Sequence, residues 1–145
     1  MFMKAETNIG GLLGKSSRLM ANRLNLDLDK FGITTQQWIL LCELFGEDNI
    51  SQKTLAKNLL KSKSSVNTLV KYLLQKKLIS QKINKDDLRE SCICLTAKGR
   101  KVLLETFGIS KNVILDATRS ISSDDLRITI KTLKMIIINL ENKNE

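Results

Sequence analysis

Lys61, Lys63, Ser64, Ser65, Asn67, Thr68 and Lys71 are spaced to share one face of a helix, opposite an apolar stripe of Val66, Leu69, Val70, Leu73 and Leu74. Short polar side chains near a helix start, framed by lysines, suit hydrogen bonding to base edges in a major groove and to the phosphates beside it. Ser62 stands where a helix cap belongs, and the free N–H groups and positive dipole end behind it favour a phosphate. A second basic cluster, Lys82, Lys85 and Arg89, surrounds the charged stretch 84–90. The chemistry on offer is the binding of a polyanion. Catalysis has few means here. The chain has no histidine, which removes the commonest general base and the commonest metal ligand. Gly10, Gly11 and Gly14 are too few and wrongly spaced to cradle a phosphate. No pair of carboxylates stands out from the surface charges. The expectation is a protein that is not an enzyme and has no cofactor and no metal.

The distribution of charge supports the same reading. Of the 24 Lys/Arg and 15 Asp/Glu that give the net +9, residues 51–101 hold 13 bases and 3 acids, a balance of +10. The rest of the chain holds 11 bases and 12 acids, a balance of −1. A solvated lysine-rich surface would spread its charge, whereas a segregated basic block marks a polyanion-binding face.

The elements that must position this block follow from periodicity and caps. Residues 9–28 carry Leu12, Leu13, Leu19, Met20 and Leu24 at helical spacings, and Gly32 interrupts them. Thr34 and Gln37 form a capping box for a second helix through Trp38, Leu41, Cys42 and Phe45, ending near Gly46. Ser51 caps a short third helix through Leu55, Ala56 and Leu59, and Ser62 caps the fourth. Ala56 is small where these two helices must cross, so the pair reads as a helix-turn-helix. The period then changes to two over 79–83 and 91–95, which predicts a β-hairpin with a long charged tip. Thr96 caps a fifth helix, with Gly108 as a candidate bend, and Ser122 with Asp125 opens the last. The fold expected is mainly α with a small β-hairpin wing, in a single domain over 1–145.

Leu126, Ile130, Leu133, Ile137 and Leu140 form one stripe on the last helix, yet Ile128, Ile136 and Ile138 lie off it. One stripe is enough to close a monomer core, so the second face predicts a second copy of the chain. The first helix poses the same problem. Terminal helices at about 8–30 and 101–143 are therefore assigned to dimerisation, around a winged helix-turn-helix core at about 33–100. A membrane-surface helix would have a basic polar face, but Asp124, Asp125 and Glu141 sit beside Arg127, Lys131 and Lys134.

Three cysteines without an export signal or a long apolar span predict a reduced, cytoplasmic protein. Cys42 falls on an apolar helix face and reads as an inert core thiol. Cys92 and Cys94 alternate with Ser91, Ile93 and Leu95, so both point to one side of their strand. As exposed thiols near basic side chains they are candidate redox sites. Their parallel directions disfavour a bond between them.

Several stretches together resemble the MarR (multiple antibiotic resistance regulator) family. They are Gly32-Ile33-Thr34-Thr35-Gln36-Gln37-Trp38, Ser51-Gln52-Lys53-Thr54-Leu55-Ala56, and Asp87-Leu88-Arg89 upstream of Leu95-Thr96-Ala97-Lys98-Gly99. The Asp-x-Arg and Leu-Thr-x-x-Gly pair is the most specific part. The resemblance implies a homodimeric winged helix-turn-helix repressor that binds double-stranded DNA at an inverted-repeat operator and is released by a small ligand. It implies that Arg89 enters the minor groove with Asp87 orienting it, and that residues 62–71 are the recognition helix. It further implies phosphate contacts from Ser51, Gln52 and Lys53, and an effector pocket near Arg18 and Trp38. Lys77 departs from the pattern, since the family often has glycine before the first wing strand.

Overall fold

The computed structural model describes residues 8–47, 49–83 and 91–142. The helix α1 spans Ile9–Leu28 and is capped by Asn8, whose side chain accepts a hydrogen bond from the Gly11 N–H at 2.7 Å. A 3-10 turn, Asp29–Phe31, ends at Gly32, whose φ of +64° is the left-handed value that glycine adopts at little cost. The helix α2, Thr35–Gly46, opens on the expected capping box: the Thr34 side chain accepts from the Gln37 N–H, and the Gln37 side chain accepts from the Thr34 N–H. Thr35 is buried and tied to α1, its N–H donating to Asn25 Oδ1 at 2.7 Å and its hydroxyl bonding Ala21 and Asn25.

The short strand β1, Ile50–Ser51, leads into α3, Gln52–Asn58, and then α4, Lys63–Gln75. Strands β2, Ile79–Ile83, and β3, Ser91–Leu95, complete an antiparallel sheet in the order β1-β3-β2. The register pairs Ile50 with Ile93, and Ser51 and Lys82 with Cys92 from opposite sides. The helices α5, Ala97–Ala117, and α6, Ser123–Glu141, follow. The mainly helical winged arrangement is as expected, and β1 is an addition. Two residues are too few to show a period, so only pairing with β3 makes them a strand.

The core lies where α2, α3 and α4 meet the sheet. Leu40, Leu41, Leu44, Leu55, Leu73 and Ile93 are fully buried there, each contributing about 1.5–3 kcal/mol. Gly99 in the first turn of α5 sits against the Leu78 carbonyl so closely that a Cβ would collide with it. The Trp38 indole N–H donates to the buried Thr106 hydroxyl at 2.8 Å, and Phe107 packs edge-on to both Trp38 and Phe45, locking α5 to α2. α5 runs unbroken through Gly108, whose Cβ position is open to space. The last helix departs further from expectation. None of its residues is buried, so neither apolar face closes the core of this chain.

Candidate nucleic-acid interface

The helix-turn-helix is built by local bonds. Ser51 caps α3 by accepting from the Thr54 N–H at 3.1 Å, and Ser62 caps α4 by accepting from the Ser65 N–H at 3.2 Å. Between them, Leu60 takes a φ of +49°, and the Lys61 N–H donates back to the Ala56 carbonyl at 3.0 Å. This left-handed residue makes the turn tight. Leu55, Val66 and Val70 are buried on the inner faces, and Ala56 and Leu69 pack against them. Burying that stripe forces Lys63, Ser64, Ser65, Asn67, Thr68 and Lys71 outward, and all six are exposed.

The outward face is not a uniform row of free groups. The Ser62 and Ser65 hydroxyls share a hydrogen bond at 2.9 Å, and the Thr68 hydroxyl donates to the Ser64 carbonyl at 3.2 Å. Gln52, reaching from the start of α3, donates from Nε2 to Asn67 Oδ1 at 3.4 Å. Gln52, Lys63, Ser64 and Asn67 together line an open groove of about 540 Å³. Thus the structure brings Gln52 to the recognition-helix residues. Lys53 is exposed beside it on α3, and Ser51 is half-buried in the α3 cap.

Lys82 lies on the exposed outer end of β2. Lys85, Asp87 and Arg89 lie outside the described residues. Lys77 has a φ of +58°, so its backbone adopts the conformation for which glycine is suited.

The sequence model of the MarR family matches residues 31–90. Over 142 residues the chain is 28% identical to the organic hydroperoxide resistance transcriptional regulator of Bacillus subtilis, covering 98% of this chain and 95% of that protein. Over residues 31–90 the chain is therefore similar to the MarR family. Among solved structures it is similar to the S. aureus MepR–DNA complex, with a TM-score of 0.83 at 24% identity, covering 91% of this chain and 98% of that one. It is similar to an E. coli MarR variant complexed with operator DNA, with a TM-score of 0.83 at 20% identity, covering 88% and 92%. At these identities the likeness shows the fold, and it is the winged fold of MarR regulators.

Two expectations change. A cavity of about 420 Å³ opens between the terminal helices and α2, lined by Leu13, Met20, Leu24, Trp38, Val113 and Leu133 among others. Trp38 is in its wall, but Arg18 is not. Arg18 is exposed one helical turn beyond Gly14, its guanidinium lying near that glycine. Cys92 and Cys94 are buried rather than exposed, Cys92 flanked by Ser51 and Lys82 on the neighbouring strands and Cys94 by Ser80 and Asn49. The sequence could not show this, since β1 has no signal of its own. Cys42 packs against the core, and burial, then the neighbouring Glu43 carboxylate, push its thiol from 9.0 to about 11.

No helix among the described residues is long and apolar enough to cross a membrane.

Proposed function

We propose that this chain acts as a homodimer, binds double-stranded DNA at an inverted-repeat operator, and represses transcription until a small ligand releases it. The observation that carries this reading is the exposed α4 face with its groove at Gln52, Lys63, Ser64 and Asn67, inside the segment that holds the whole positive excess. In this reading Asn67 and Ser64 meet base edges, while Lys53, Lys63 and Lys71 meet phosphates. Ser51, Ser62, Ser65 and Thr68 hold the backbone that presents them. Arg89, oriented by Asp87 and flanked by Lys85, enters the minor groove, where a narrowed A·T segment attracts a guanidinium. The cavity beside Trp38 supports a small, largely apolar effector. The site of action is the cytoplasm, and no reaction is catalysed.

Two copies set side by side give two α4 helices, so the preferred site has two-fold symmetry. Selection of bound DNA from a random pool tests this, and an enriched inverted repeat is the expected result. If each dimer neutralises about 6–10 phosphates, affinity falls by roughly 10³–10⁵ between 50 and 200 mM salt. A flat salt response with no symmetric preference would instead favour a winged module for RNA or protein contact.

A further inference from the structure

The two thiols of β3 lie in an arrangement that the DNA-binding reading does not use. Residues paired across an antiparallel sheet share a face. Cys92 therefore lies in one row with Ser51 and Lys82, and Cys94 lies beside Ser80. Asn49, just before β1, accepts a hydrogen bond from the Cys94 thiol at 2.8 Å. The face is thus polar around two buried sulfurs, with Cys92 8% and Cys94 6% exposed. Core thiols are ordinarily wrapped in hydrocarbon. Ile93, pointing the other way, is the residue that enters the apolar core.

We propose that Cys92 and Cys94 form a binding site for a soft, two-coordinate monovalent cation of the Cu(I) type. Residues two apart on a strand are separated by about 6.6 Å, and their side chains run parallel. A disulfide requires sulfurs about 2.05 Å apart, which parallel side chains do not reach. An ion between them requires much less. Two metal–thiolate bonds of about 2.3 Å, set end to end, span about 4.6 Å. Leaning the two sulfurs toward each other, with Cys94 giving up Asn49, closes that gap.

The ligand set selects the ion. Thiolates favour soft metals. A tetrahedral zinc site takes four ligands, and the chain has no histidine, while no group of three or more Cys, Asp or Glu gathers among the described residues. Two thiolates complete only a linear site. Uptake of one ion releases both thiol protons and leaves a bis-thiolate complex of net charge −1. Lys82, directly across from Cys92, carries the opposite charge.

The position gives the site a consequence, which rests on the DNA-binding reading. β3 joins Ser51, the cap of α3, to the wing strand β2, so drawing its sulfurs together shifts both parts of the DNA-facing surface.

The test uses Ag(I) as a redox-inert probe on the full chain, followed by calorimetry without DNA. One tightly held ion per chain is expected. Cys92→Ser and Cys94→Ser should each weaken it by more than the about 10–100-fold that outer-shell changes cost, and Lys82→Gln by an amount within that range. Cys42→Ser should leave it unchanged. Tight binding retained in the Cys92→Ser/Cys94→Ser double variant, or absent from the unaltered chain, overturns the site. Should the serine variants fail to fold, alkylation mapping of the unaltered chain decides. Silver must protect Cys92 and Cys94, and unchanged labelling of both overturns the proposal. DNA affinity is then compared with and without silver. Failure of the silver-free protein to bind any DNA counts against the DNA reading alone, whereas tight DNA binding indifferent to silver overturns only the coupling.

Discussion

The central winged unit and the terminal helices are made from similar residues and end in opposite states. In the winged unit, Leu55, Val66, Leu73 and Ile93 lose all contact with water. On α6, Ile128, Ile130 and Ile137 remain more than half exposed, as do Ile9 and Leu19 on α1. Three helices and a sheet surround one point in the first case. In the second, long helices lie side by side and no residue of α6 is buried. Apolar area on that scale marks an interface. A second copy of the same helices is the proposed cover, and the difference is that the winged unit closes its own core while the terminal helices leave apolar residues exposed.

The largest effect expected is from removing residues 122–145. The winged unit keeps its core, but two linked half-site contacts become one. Loss of that linkage lowers affinity for an inverted repeat by about 10²–10⁴-fold, and sedimentation should show monomers. A truncated chain that stays dimeric would break the contrast between the two regions.

Gly99→Ala strikes the junction. Its Cβ would meet the Leu78 carbonyl, which is backbone and cannot swing aside. Overpacking of this kind costs typically about 1–3 kcal/mol, measurable by urea unfolding. Val102→Ala, also at the α5 end of the core but only half-buried, should cost less.

Lys77→Gly should act in the opposite sense. A non-glycine residue at φ +58° stores strain, and relieving it yields about 1 kcal/mol, offset in part by the greater freedom of glycine when unfolded. The urea midpoint should rise. A fall would mean that the Lys77 side chain contributes more than its backbone loses.

The smallest effect concerns Cys42, whose thiol is raised from 9.0 to about 11 mainly by burial. The unfolded chain ionises first, so the stabilising preference for the neutral thiol is complete below pH 9 and is lost as pH rises through about 11. Stability should decline over that window, and Cys42→Ala should flatten the decline. Alkylation at pH 8 should be slow at this residue.

Much of the site was legible because its signals are local. Thr34 with Gln37, Ser51, Ser62, Thr96 and Ser122 all cap helices where their spacing placed them. A cap is a bond between residues three apart, so sequence contains it. The exposed face of α4 followed from the apolar stripe opposite. Gln52 meeting Asn67 did not, since that contact crosses a turn whose tightness depends on Leu60. Likewise Arg18 was placed near the cavity by resemblance, but its rotation about the α1 axis turns it to solvent.

By itself, the sequence determined the order of helices, their caps, the basic block at 51–101 and the excess of apolar faces at the ends. These are properties of short windows and of counting. It took the tertiary structure to show that β1 pairs with β3, that Cys92 and Cys94 are enclosed, that α5 continues through Gly108, and that no residue of α6 is buried. Each of these depends on what a distant segment does. A strand's burial is set by what packs beside and over it, and a helix's by whether another surface arrives to cover it. Neither is written in the residues of the element itself.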